Sequence, residues 1–192
     1  RFWRVADGRW EVGDGVLFNR SRGGRITGGR RYWDDYTVSV RMRTVEAGER
    51  PWSVACVYVR HLNPQNTYYV LLHRDGRLEL GKEYRGQHRP GLEQTQVDAD
   101  PAEWNRFRVT VEKSTIAVAL NGERIFMHTD DEPLPTGGIA FSGFQNSRIE
   151  VDDMTVRAAE LAERERTLAA AADDRLAALG YEAVPKGNLA IF

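Results

Sequence analysis

A chain of 192 residues, 41% of them hydrophobic, holds enough apolar mass for one sizeable core, and 27 basic against 28 acidic residues leave a formal charge of -1. That balance removes any global electrostatic attraction to nucleic acid or to an anionic membrane. The single cysteine, Cys56, excludes an internal disulfide and a cysteine metal cluster, and no run approaches the roughly 18 apolar residues of a membrane span.

The chain opens as FWRVADGRWEVGDGVLFNR, where Asp7-Gly8 and Asp14-Gly15 are turn dipeptides and the residues between and after them read as short strands. Arg20 to Arg31 (RSRGGRITGGRR) is a solvated, Gly-rich loop and strand edge, with contact to an anion or acidic sugar as its functional alternative. In Thr37 to Arg43, Val38, Val40 and Met42 alternate with polar residues, the pattern of a half-buried strand. The central block, Trp52 to Leu80 (WSVACVYVRHLNPQNTYYVLLHRDGRLEL), reads as strand, loop, strand, Asp75-Gly76 turn and strand. Gly81 to Pro101 is polar and predicts a long loop. Trp104 to Glu112 and Ser114 to Leu120 form another strand pair, Asn121-Gly122 is a strong hairpin signal answered by Glu123 to His128, and Ser147 to Val156 supplies a closing strand.

After Arg157 the pattern changes. AAELAERERTLAAAADDRLAALG is built from strong helix formers, carries Leu161, Leu168, Leu176 and Leu179 as a sparse stripe, and has Gly180 placed as a C-cap. The expected architecture is therefore all-β: a two-sheet antiparallel jelly-roll sandwich over residues 1–157, followed by a C-terminal α-helix and apolar tail over 158–192. The chain starts with Arg rather than Met, and the expectation is a processed or excised piece of a longer product.

The order of these motifs resembles the concanavalin A-like lectin/glucanase jelly roll, in its laminin-G-like branch with the 3-keto-disaccharide hydrolase family and certain fructan-binding modules. The residues that carry the resemblance begin with Gly8 to Leu17, Asp35 to Val40, and Val57 to Arg60 with Asn66 to Tyr69. Trp104 to Val109, Ile116 to Glu123, Gly138 to Phe141 and Val151 to Asp153 complete them. The resemblance implies a concave sheet that binds carbohydrate, in a bacterial module attached to a glycan-processing enzyme and placed outside the cell or in the periplasm. The stretch Ser53 to Arg60 lacks the Asn-Ser-Gly-like element and following acidic stretch of the hydrolase branch, which weighs against catalysis.

Arg60 closes an apolar strand, and on simple alternation it shares a face with Val54, Cys56 and Tyr58. Its fork suits paired hydroxyls or a carboxylate. Around it Trp52, Tyr58, Tyr68, Tyr69 and His73 provide aromatic bodies with polar handles, suited to the C–H patches and hydroxyls of a sugar. Tyr68 and Tyr69 must face opposite sides. Glu79 and Glu83 are thinkable carboxyls for glycoside cleavage, with Asp75 a weaker third; no close-spaced acid motif is present, and the alternative is a pair that converges from distant strands. A structural calcium ion is the one cofactor the resemblance suggests, with Asp152 as its candidate ligand.

Three functions follow from these residues. The first is a non-catalytic carbohydrate-recognition domain whose ligand contacts Arg60, Tyr58, Tyr68, His73, Glu79 and Trp52. The second is a structural or interaction module that docks on a protein partner through the residues after Arg157. The third is a hydrolase of the 3-keto-glycoside type.

Overall fold

The computed structural model of the protein describes residues 2–158. The helix and apolar tail expected over 158–192, and with them the docking role, lie outside the described residues apart from Ala158, which ends the last strand.

Fourteen strands follow one another along the described residues. They are β1 (Trp3–Asp7), β2 (Trp10–Gly13), β3 (Val16–Asn19), β4 (Arg25–Gly28), β5 (Tyr36–Glu46), β6 (Ala55–Asn63) and β7 (Asn66–Leu72), then β8 (Arg77–Tyr84), β9 (Gln87–Gln96), β10 (Asn105–Glu112), β11 (Thr115–Leu120), β12 (Glu123–Thr129), β13 (Gly138–Gly143) and β14 (Arg148–Ala158). They build two seven-stranded sheets, here sheet I in the order β1-β4-β13-β6-β7-β8-β9 and sheet II in the order β12-β11-β10-β5-β14-β3-β2. Every recorded pairing is antiparallel, including those that cross between distant parts of the chain.

The turn chemistry explains the hairpins. Asp14-Gly15, Arg85-Gly86 and Asn121-Gly122 join β2 to β3, β8 to β9 and β11 to β12, and all six residues have positive φ. That is the primed turn whose twist matches the flanking strands.

The segment expected as one long loop, Gly81 to Pro101, is instead the end of β8, a two-residue turn and the whole of β9. β9 is the edge of sheet I and is largely exposed, so its polar residues and Pro90 sit where no further strand needs their hydrogen bonds or an apolar surface.

The core lies between the sheets. Ala55, Val57, Val59, Tyr68, Val70, Leu72, Leu78, Leu80, Ile139 and Phe141 of sheet I meet Tyr36, Val38, Val40, Met42, Phe107, Val109, Val111, Ile116, Val118 and Ile149 of sheet II. A second, smaller buried cluster, Val54, Cys56, Tyr58, Tyr69, Leu71 and Ala140, takes the alternate positions of β6, β7 and β13 and therefore lies on the outer face of sheet I.

One irregularity decides which face each residue of β6 takes. Pairing of β6 with β7 and with β13 shifts register after Val59, and Arg60 adopts φ +44°. This bulge breaks the alternation. Arg60 turns away from the Tyr58 face and enters the end of the sandwich, where His61 then takes the outward place beside the Tyr58 ring. The backbone N–H of Arg60 donates to Tyr36 Oη at 2.6 Å.

Candidate functional site

Arg60, assigned to the ligand by alternation, is 1% exposed. Its guanidinium donates to the carbonyls of Asp34, Lys113 and Leu134 and to the Asp35 carboxylate, so its fork is consumed within the protein. Tyr68 is corrected in the same way. Its ring is part of the inter-sheet core, and its hydroxyl donates to Asp130 Oδ2 at 2.6 Å while accepting from Leu134 N–H. The Lys82 ammonium completes this buried group, 2.7 Å from the same Asp130 oxygen. Both side chains tie the chain between β12 and β13 to the end of the sandwich.

The outer face of sheet I gathers the other candidates. Register places Tyr58 opposite Tyr69 and Tyr69 opposite Gly81, one row across β6, β7 and β8. A side chain at Gly81 would overlap the Tyr69 ring, so glycine there lets the ring lie flat across β8 and bring its hydroxyl to Glu79. The Tyr69 ring runs nearly parallel to those of His88, 5.7 Å away at 6°, and Phe144, 6.4 Å away at 16°. Trp52 meets His73 edge-on at 6.5 Å and donates its indole N–H to Gln145.

Glu79 is the hub of this face. Its Oε1 accepts from Tyr69 Oη at 3.1 Å and Gly91 N–H at 3.2 Å, and its Oε2 accepts from His73 Nε2 at 2.8 Å and Gln94 Nε2 at 3.4 Å. The other imidazole nitrogen, His73 Nδ1, lies 3.1 Å from Arg77 Nη2. Arginine only donates, so Nδ1 accepts and the imidazole hydrogen is on Nε2, given to Glu79. Burial works to raise the Glu79 carboxyl, but the hydrogen bonds led by His73 outweigh it and hold the group below the ordinary range. With its acceptor positions filled, Glu79 is an ionised anchor rather than a free base.

A second cluster lies toward β4. Tyr58 Oη and Ser142 Oγ share a hydrogen bond of 2.9 Å, and the Arg25 guanidinium stacks 4.6 Å over the Tyr58 ring. Burial pushes the Cys56 thiol up to about 12, which leaves it an inert packing residue.

The face is layered. Tyr58 and Tyr69 are 2% and 3% exposed, so they form a floor, and the partly exposed Trp52, Phe144 and Arg25 with the more open Gln94 and His88 stand at its surface. Trp52, Tyr58, Tyr69, His73 and Glu79 are legible here from the sequence; the fold adds His88, Phe144, Arg25, His61 and Ser142.

Asp152 lies on sheet II, away from this face, with Arg41 Nη1 at 3.6 Å, while Asp153 pairs with Arg41 and Arg106. Guanidinium groups occupy the position a cation would need, and this donor set does not suit calcium. Among the described residues no group of three or more His, Cys, Asp or Glu side chains is arranged to hold a metal ion. A groove of about 550 Å³ runs over the outer face of sheet II, lined by Arg106, Arg108, Thr110, Thr115, Ala117 and Met127 among others. Among the described residues no aromatic side chain lines it.

Comparison with known proteins places this architecture. The family model described as the 3-keto-alpha-glucoside-1,2-lyase-like domain matches residues 2–157. The chain belongs to that family. Among solved structures it is similar to the carbohydrate-binding module CBM66 from Bacillus subtilis, at 11% identity and a TM-score of 0.68, over 81% of this chain and 94% of that one. A prokaryotic β-1,3-1,4-glucanase (lichenase) from a mouse hindgut metagenome is similar at 15% identity and a TM-score of 0.61, over 81% and 91% of the two chains. The Bacillus licheniformis β-glucanase is similar at 12% identity and a TM-score of 0.57, also over 81% and 91%. These likenesses establish the concanavalin A-like jelly-roll fold of the lyase-like domain. No curated protein matches the chain.

Proposed function

We propose that this lyase-like domain recognises carbohydrate without cleaving it, as one module of a larger glycan-handling protein, and that the glycan lies across the outer face of sheet I. The observation that carries the reading is the set of accessible rings on that face, Trp52, Phe144 and His88, seated on the buried Tyr58–Tyr69 floor and joined to a carboxylate whose acceptor positions are already filled. Aromatic faces suit the apolar C–H patches of a sugar ring, and the hydrogen-bonding groups between them suit its hydroxyls. The groove on sheet II has donors but no aromatic platform, so it fits this chemistry less well.

Catalysis is weakly supported by the same geometry. Glu79 has its acceptor positions filled by Tyr69, Gly91, His73 and Gln94, and Glu83 is held by His88 Nδ1 at 2.5 Å, so neither carboxyl stands free to act as the acid or the nucleophile of a glycosidase pair. His73 has both nitrogens engaged, by Glu79 and Arg77, and holds neither free to take a proton.

The test is a glycan array followed by calorimetry on the best ligand. Trp52→Ala and His88→Ala at the surface of the row should each weaken binding about tenfold, and Met127→Ala on sheet II should leave it unchanged. Absence of any glycan bound above background ends this reading.

A second reading, cleavage of a 3-keto-glycoside, is favoured by the family match and by the His73–Glu79 pair. Release of sugar from an oxidised disaccharide, lost in Glu79→Gln, would establish it. No turnover across a panel of such substrates would end it.

A further inference from the structure

One cross-strand row on the outer face runs from Arg25 on β4 through Ser142, Cys56 and Leu71 to Glu79 on β8. Four inter-strand steps of about 4.8 Å set its ends roughly 19 Å apart, the scale of a short oligosaccharide. The two ends carry opposite chemistry. At β8 a carboxylate is surrounded by donors. At β4 there are donors that lack an acceptor.

Arg25 gives one N–H to Tyr58 Oη at 3.3 Å, and its Nε is buried with no hydrogen-bond partner. Among the described residues no carboxylate pairs with it. Beside it His61, 9% exposed, has a buried Nδ1 that is likewise without a partner. Burial, and then the positive charge of Arg25, push this imidazole down to about 4, so the corner holds one fixed cation and one neutral ring at physiological pH. Buried polar groups are nearly always hydrogen-bonded. Arg77 and Arg148 also have a buried Nε without a partner, but each of those guanidiniums pairs with a carboxylate, Asp75 or Glu46. Arg25 has none among the described residues and stands beside the unpaired His61 Nδ1, which leaves this corner short of an acceptor.

We propose that the Arg25–His61–Tyr58–Ser142 corner is a subsite for an anionic substituent of the bound glycan, a carboxylate or a sulfate ester. This rests on the recognition reading above and adds the class of ligand. The guanidinium supplies charge-assisted hydrogen bonds to the anion, and its stacking on Tyr58 fixes the plane of the fork. The Tyr58–Ser142 hydroxyl pair rotates to donate, and His61 Nδ1 donates in the tautomer that carries the hydrogen there. Glu79 at the far end disfavours a second anion, so the polarity of the row sets the direction in which the chain lies.

The experiment is calorimetry of the full chain, at low salt, with a neutral tetrasaccharide carrying one terminal uronate, the methyl ester of that uronate, and the same neutral tetrasaccharide carrying one terminal sulfate ester. The anionic ligands should bind about tenfold more tightly than the ester, as one charge-assisted contact gives. Arg25→Gln should weaken the anionic ligands about tenfold and the ester by clearly less, and the ligand with the larger gain identifies the anion. A second readout needs no variant: the His61 ring, followed by NMR, should titrate at higher pH when an anionic ligand neutralises Arg25, and should not move with the ester. Equal affinity for acid and ester, or an equal loss for every ligand in Arg25→Gln, overturns the subsite and leaves recognition standing. No binding of any ligand by the unmodified chain overturns both.

Discussion

Replacing Arg60 by methionine separates a residue that holds the fold from one that holds the ligand. Methionine keeps much of the stem but none of the donors. The carbonyls of Lys113 and Leu134 lose the Nη1 hydrogens, the carbonyl of Asp34 loses Nε–H, and Asp35 loses its ion pair. Asp35 also accepts from Lys113 N–H and keeps that bond, so the loss concentrates on the carbonyls. An acceptor left unpaired in the interior costs about 1–3 kcal/mol, and removing one partner of a buried charged group costs about 3–5 kcal/mol. Not all three carbonyls are fully buried, so the expected destabilisation is about 3–5 kcal/mol, or a fall in Tm of roughly 6–20 °C for a chain of this size. Urea denaturation checks it through a lower midpoint at unchanged m-value. Calorimetry on the folded variant should give unchanged glycan affinity. A loss of stability under about 1 kcal/mol, or a stable protein that no longer binds, would refute the assignment of Arg60 to the sandwich end.

Gly81→Ala should cost about 1–3 kcal/mol through overpacking, because the new methyl displaces the Tyr69 ring, and it should weaken glycan binding. Combining it with Tyr69→Ala should cost less than the sum of the two changes, measured by denaturation, and strict additivity would show that the ring is not seated on the glycine. Stability should also depend on pH in a stated direction. The depressed Glu79 and Asp130 carboxyls stabilise the fold above the ordinary carboxylate range, and that contribution is lost as pH falls through their folded values. His61, held down to about 4 in the fold against 6.5 for the free ring, acts in the same sense, since the unfolded chain binds its proton first. Thermal melts should therefore rise from pH 4 to about 6.5 and then level off, with a shallower rise in His61→Gln. A flat profile across that window would contradict the burial of His61.

The fold was largely readable because each local signal is carried by the residues themselves. Asn121-Gly122 and Asp14-Gly15 state their turns, and Val38, Val40 and Met42 state the face of β5 that enters the core. β9 was missed because an edge strand has only one neighbour and little to bury, so its residues read as a loop. The site was half readable for a related reason. Trp52, Tyr58, His73 and Glu79 could be named from residue type, but β7 is apolar at both Tyr68–Val70–Leu72 and Tyr69–Leu71, and alternation does not say which set faces outward. That choice is made by register with Tyr58, a contact between different strands. Arg60 was misplaced by alternation itself, because a bulge after Val59 leaves no trace in composition. Arg25 on β4 and Ser142 on β13 are far apart in the chain and meet only because those two strands pair.

The claim on which the functional account depends is that the glycan lies on the outer face of sheet I. NMR chemical-shift mapping of the protein with its best array ligand tests it directly. The account predicts shifts concentrated at Trp52, Tyr58, Tyr69, Glu79, His88 and Phe144. Shifts confined to Arg106, Arg108, Thr115 and Met127 would place the ligand in the groove of sheet II and contradict it.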